Sequence, residues 1–108
     1  MESTYLPGYQ LKTALAMRSV RSAIGYNQEQ FAEFIGSSKP TIARIETLET
    51  LMNPALYERM IMKLRLHGIT VDALSQDGVT VQFDNDAIQL LQEQLQGDAR
   101  RRSDRKQK

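Results

Sequence analysis

The chain contains no cysteine and a single histidine, His67, in 108 residues. Without Cys there is no disulfide framework, no thiolate metal site and no thiol nucleophile, and a reducing, intracellular setting fits. A lone imidazole with no second His or Cys beside it in the sequence does not make a zinc site, so no metal is expected. Nor does it belong to any recognisable nucleophile–base arrangement. No GxxxxGK[ST] phosphate loop, no GxGxxG and no HExxH occurs. These absences predict a protein that is not an enzyme and carries no cofactor. No apolar run approaches the roughly 18 residues that span a membrane. The start, MESTYLPGY, lacks the basic opening and apolar stretch of a signal peptide.

What is present is an ordinary soluble composition, with 41% hydrophobic and 25% charged residues. The length predicts one domain, with an appendage. The net charge of +1 hides an asymmetry. Residues 97–108 hold six cations (Arg100, Arg101, Arg102, Arg105, Lys106, Lys108) against Asp98 and Asp104. The preceding 96 residues carry 8 cations and 11 carboxylates, so a slightly acidic body precedes a basic tail.

Periodicity predicts a mainly α chain. Residues 1–8 read as a flexible leader. A helix is expected over about 9–24, with Met17, Val20 and Ile24 on one stripe and Gly25 as left-handed cap. Asn27 caps a second helix, whose buried side is Phe31, Ala32 and Ile35 and which Gly36 ends. Ser38 caps a third, with Pro40 tolerated in its first turn and Ile42 and Ile45 inward. Asn53-Pro54 starts a fourth, with Leu56, Met60 and Leu64 in line and Tyr57 and Ile61 beside them, ending at Gly68. His67 falls near that helix C-terminus, where positive charge is mildly favoured. Ile69, Val71 and Ala73 alternate with polar residues, as do Val79, Val81 and Phe83, and Asp77-Gly78 between them signals a hairpin. Asp84 or Asn85 caps a last helix carrying Ala87, Ile88, Leu91 and Leu95. The tail from Gly97 has no apolar content beyond Ala99 and is expected to be disordered.

The stretch GSSKPTIARIE, Gly36 to Glu46, joins two short helices through a tight glycine turn. At helical spacing Lys39, Pro40, Ala43, Arg44 and Thr47 share one face, and Ile42 and Ile45 the other. The first face has two cations and no carboxylate. Such a face suits side chains aimed at base edges, with the helix N-terminus toward a phosphate.

On these residues the chain resembles the lambda-repressor-like (Xre type) helix-turn-helix family. GYNQEQFAEFIGSSKPTIARIE carries the likeness, at Arg21, Gly25, Gln28, Phe31 and Ala32, then at Gly36, Ser38, Thr41, Ile42, Arg44, Ile45 and Glu46. It covers about residues 11–67. The resemblance implies a four- to five-helix helix-turn-helix DNA-binding domain over 9–68, which the β-hairpin and C-terminal helix read from the residues then follow. It implies DNA contacts at Gln28 (phosphate), Ser38, Lys39, Pro40, Thr41 (phosphate or thymine methyl) and Arg44. It makes Arg21 and Glu46 a structural ion pair. There are departures. Ser37 stands where a small apolar residue is usual, and Pro40 replaces a side chain able to donate a hydrogen bond. Thr47 stands where Gly often ends the third helix, so that helix is expected to run on, with Leu48 and Leu51 extending its stripe.

Residues 69–96 are then a dimerisation or partner-binding unit. A hairpin alone is marginal and must pack on something. The hairpin would bury Ile69, Val71, Val79 and Val81 on one face. Val79, Val81, Ile88, Leu91 and Leu95 are assigned to a two-fold interface with a second copy. The expected function is a sequence-specific transcriptional regulator, a repressor by family habit, of bacterial or phage setting. It would be cytoplasmic, nucleoid-associated when bound, and would bind double-stranded DNA at a palindromic operator as a homodimer. Its rival is an antitoxin, in which the same segment masks a toxin or other protein partner. The basic tail either solubilises the chain or adds phosphate affinity without sequence preference.

Overall fold

Helix caps divide the polypeptide into its elements, and the computed structural model describes residues 8–106, with side chains through Gly97. The order is α1 (Tyr9–Ile24), α2 (Gln28–Ile35), α3 (Lys39–Glu46), α4 (Pro54–Leu66), β1 (Ile69–Asp72), β2 (Thr80–Phe83) and α5 (Asn85–Lys106). The chain is mainly helical, with one antiparallel hairpin and a C-terminal helix. The expected leader, apart from Gly8, lies outside the described residues.

Each early boundary has a local cause. Gly25 takes the left-handed conformation that a helix end needs, and Tyr26 N–H reaches back to Arg21 O at 3.1 Å. Asn27 and Gln30 exchange side-chain and backbone hydrogen bonds in a capping box, at 2.7 and 2.8 Å. Asn53 Oδ1 accepts from Ala55 N–H, and Pro54 opens α4 where no backbone donor is needed.

The apolar stripes of α1 to α4 meet in one core. Met17, Val20, Phe31, Ile35, Ile42, Ile45, Met52, Met60 and Leu64 are fully buried there. β1 lies against α4 and adds Ile69 and Val71. The Tyr57 hydroxyl accepts the Ala73 N–H at 2.9 Å within this layer. Its burial raises the phenol pKa above its ordinary value; the Ala73 hydrogen bond opposes that shift and the Asp72 charge adds to it.

Two features of the hairpin differ from expectation. The strands pair Ile69 with Phe83 and Val71 with Val81, and the connection runs from 73 to 79 instead of a two-residue turn at Asp77-Gly78. The cause is competition for backbone donors. Tyr57 takes Ala73 N–H, and Asp72 Oδ1 takes the N–H groups of Leu74 and Ser75, at 2.9 and 3.2 Å. β1 therefore stops at Asp72. Val79 falls outside β2, and Val79 and Val81 pack, half-buried, against the chain's own core.

Asp84 is the cap of α5: its Oδ1 accepts Ala87 N–H at 3.0 Å, and Ala87 is buried. The expected disordered tail is helical instead, since α5 continues to Lys106; residues 107–108 lie outside the described residues. Gly97 alone does not stop it, because the residues after it include Ala and several Arg, all good helix formers. The body is thus extended, 60 Å in its longest dimension.

Candidate nucleic-acid interface

The turn between α2 and α3 is built by backbone chemistry that the sequence announces. Gly36 adopts φ 76°, and Ser37 N–H reaches Ala32 O at 2.7 Å, which closes α2. Arg59 Nη2, from α4, donates to Gly36 O at 3.1 Å and holds the turn from behind. Ser38 opens α3: its hydroxyl oxygen accepts from Thr41 N–H at 3.4 Å and donates to Thr41 Oγ1 at 2.9 Å. The two polar side chains of the first turn therefore hold each other.

α3 then has two faces. Ile42 and Ile45 sit in the core. Lys39, Pro40 and Arg44 are exposed, Thr41 and Ala43 half-buried. The side chains of Lys39 and Arg44 have no hydrogen-bond or ion-pair partner among the described residues. Two uncommitted cations thus stand on the outside of a helix whose inside is fully packed. That is a rigid presentation of positive charge, since the helix cannot rotate without exposing isoleucine.

Arg21 and Glu46 form the expected pair, and it does more than join two charges. Arg21 Nε and Nη2 bind the two Glu46 oxygens at 2.7 and 3.0 Å, in the parallel fork that suits guanidinium and carboxylate. Arg21 Nη1 also donates to Tyr26 O at 3.0 Å. α1, the α1–α2 turn and the end of α3 are clamped together. Gln28 belongs to this cluster: its Nε2 donates to Glu46 Oε1 at 3.1 Å, and the residue is half-buried. Nε2 carries a second N–H, so Gln28 braces this cluster and still keeps the kind of donor that a phosphate contact needs.

α3 does not run on. Thr47 Oγ1 folds back to Ala43 O at 2.9 Å, and Leu48 takes φ 65°, a left-handed conformation costly for a branched chain. Gln10 Nε2 donates to Leu48 O at 2.8 Å and fixes the turn. The left-handed residue that ends this region is a leucine, Leu48. Leu48 and Leu51 are exposed and extend no buried stripe.

The five residues assigned to a dimer interface separate. Val79 and Val81 face inward. Ile88 and Leu95 are 52% and 63% exposed, and with Leu91 and Phe83 they line an open apolar groove of about 740 Å³, edged by Gln92 and Gln96. Phe83 was not assigned there from sequence; its pairing with Ile69 on a strand leading directly into α5 puts it at the groove's end. His67 caps α4 and lies against the Phe34 ring, centroids 5.4 Å apart. A second exposed apolar group, Leu11 and Leu15 on α1 with Leu48, escaped the sequence reading. Its signal was there: Leu11 and Leu15 are four apart and off the Met17–Val20–Ile24 stripe. Compared with known proteins, the chain matches no family model, no curated protein and no solved structure.

Proposed function

We propose that the chain is a sequence-specific DNA-binding transcriptional regulator, a repressor, that acts as a homodimer on a palindromic operator with α3 in the major groove. The observation that carries this reading is the outer face of α3, where Lys39 and Arg44 stand exposed and uncommitted on a helix locked by Ile42, Ile45 and the Arg21–Glu46 clamp. Arg44 is the base reader: its fork matches guanine O6 and N7. Lys39 reads a base or neutralises a phosphate. Pro40 and Thr41 offer apolar contact to a thymine methyl, and Ser38 with the first amides of α3 sets register on the backbone. The likeness to the lambda-repressor-like family, over about residues 11–67, supports the same reading.

Dimerisation follows from the economy of readout and from the apolar α5 groove. One recognition helix reads few base pairs, whereas two copies read half-sites one helical turn apart. The groove is edged by neutral glutamines, so a two-fold axis through it opposes no like charges at the rim. The working compartment is then the cytoplasm, at the nucleoid.

The test is selection of bound sequences from a random duplex pool at physiological salt, with the mass of the complex measured alongside. An inverted repeat holding two chains is the expected result. No enriched sequence would overturn the reading. The exposed α5 groove also favours a second reading, an antitoxin whose α5 covers a toxin; a chain that is monomeric alone and on DNA selects it.

A further inference from the structure

α5 has opposite charge at its two ends. Asp84 and Asp86 stand at its start, and Arg100, Arg101 and Arg102 follow the apolar groove on the same continuous helix. Asp98 shares the later stretch and is outnumbered three to one. Asp84 caps the helix, Asp86 is exposed, and neither carboxylate has an ion-pair partner among the described residues. The helix dipole favours this polarity, but only within the first and last turns. The three arginines precede the last turn of α5, which ends at Lys106, so the dipole does not account for them.

The groove between these ends is self-complementary. Ile88 lies as far before the middle of its α5 wall, between Leu91 and Gln92, as Leu95 lies after it. Asp84 and Arg100 stand about two helical turns out on either side of the same point. A second α5 running the opposite way therefore sets Ile88 against Leu95 twice. It also carries each arginine cluster to the other copy's Asp84 and Asp86. A second α5 running the same way sets Ile88 on Ile88 and Leu95 on Leu95, but then carboxylates meet carboxylates and arginines meet arginines. Both orientations cover the apolar seam, and charge separates them.

We propose that two copies pair through α5 in an antiparallel, two-fold arrangement, with the arginines that follow each groove held by the Asp84 and Asp86 carboxylates of the other copy. This arrangement rests on the homodimer reading and deepens it. The occupant of the groove is a second α5, and the basic end of the helix binds the other copy instead of DNA phosphates.

The chain has no cysteine, so each introduced thiol reports on one contact. Full-length Ile88→Cys and Leu95→Cys chains are prepared separately, then mixed under mild oxidation. The mixture is expected to cross-link and each variant alone is not, because like positions lie about 10 Å apart along the axis, beyond disulfide reach. Sedimentation supplies the electrostatic half. Arg100→Glu, Arg101→Glu and Arg102→Glu together should raise the dimer dissociation constant about tenfold or more. Adding Asp84→Asn and Asp86→Arg, which keeps a capping side chain at 84, should restore most of that loss.

Cross-linking of each variant alone, with none added by mixing, would overturn the antiparallel orientation and leave the homodimer standing. Unchanged dimerisation in the arginine-reversed chain would release those cations for DNA and overturn their assignment. Dimers without any cross-link would place the interface outside α5. A parent chain that sediments as a monomer at every concentration and on operator DNA would sink the homodimer reading as well.

Discussion

Arg21 holds Glu46 by both carboxylate oxygens, and Gln28 shares one of them. Glu46 is 6% exposed, so its charge is tolerable only with these partners. Arg21→Ala leaves that carboxylate nearly buried with one amide for company. We expect a loss of roughly 3 kcal/mol in urea unfolding. The double variant Arg21→Met with Glu46→Leu removes both charges and should recover most of it. A double variant as unstable as the single one would show that the fork itself, not relief of a buried charge, stabilises the three elements.

Arg44→Ala touches no packed atom of the chain. Its stability should stay within about 0.5 kcal/mol of the parent. On the selected operator it should lose about 1–3 kcal/mol of binding and relax base choice at one position per half-site. Titration on operator and on random duplex separates the outcomes, because equal weakening on both would reduce Arg44 to a phosphate contact.

Ile88→Glu and Leu95→Glu place charge in the α5 groove at positions already mostly in water, so folding should persist. Sedimentation should report monomers. Operator affinity should fall on the order of a hundredfold, since the second half-site is then no longer tethered to the first. A variant that remains dimeric moves the interface away from α5.

Gly68 sits at φ 80°, and a Cβ there would overlap the Asp84 carboxylate that caps α5. Gly68→Ala therefore combines left-handed strain with loss of a cap. Thermal unfolding should show a destabilisation of about 2–3 kcal/mol. A shift no larger than that of an exposed Gly→Ala change would mean that Asp84 can swing away at little cost.

Tyr57 supplies a pH test. Burial raises its pKa in the folded state above the value of 10.0 that applies when exposed. The unfolded chain therefore releases this proton first. The associated stability is fully present below pH 10 and is lost as pH rises through the folded value. Tyr57→Phe should be less stable by about 1–3 kcal/mol near neutrality, because Ala73 N–H loses its acceptor. Its unfolding free energy should also fall less steeply between pH 9 and 11 than the parent's. Parallel curves would show that other groups govern the alkaline loss.

The helices before residue 68 were legible because their causes are local. Asn27 with Gln30, Ser38 and Asn53-Pro54 carry their own caps, and Gly25 and Gly36 supply the left-handed ends. The two faces of α3 follow from spacing alone: Ile42 and Ile45 are three apart, and Lys39 and Arg44 fall outside their stripe. The candidate site was less complete. Nothing in sequence says that Glu46, eighteen residues on, takes one of the two N–H groups of Gln28 Nε2.

The sequence by itself determined the helical class, the capped turn at Gly36–Ser38 and the outward cations, because a 3.6-residue period and a cap require only near neighbours. Only the tertiary structure decided the rest. Tyr57, sixteen residues before Ala73, takes a backbone donor and so shortens β1 and lengthens the hairpin loop. Gln10, thirty-eight residues before Leu48, holds the left-handed turn that ends α3. Val79 and Val81 turned inward against the core, and Ile88 and Leu95 stayed out. These outcomes depend on which distant groups reach a donor, an acceptor or a vacancy first, and neither composition nor periodicity encodes that competition.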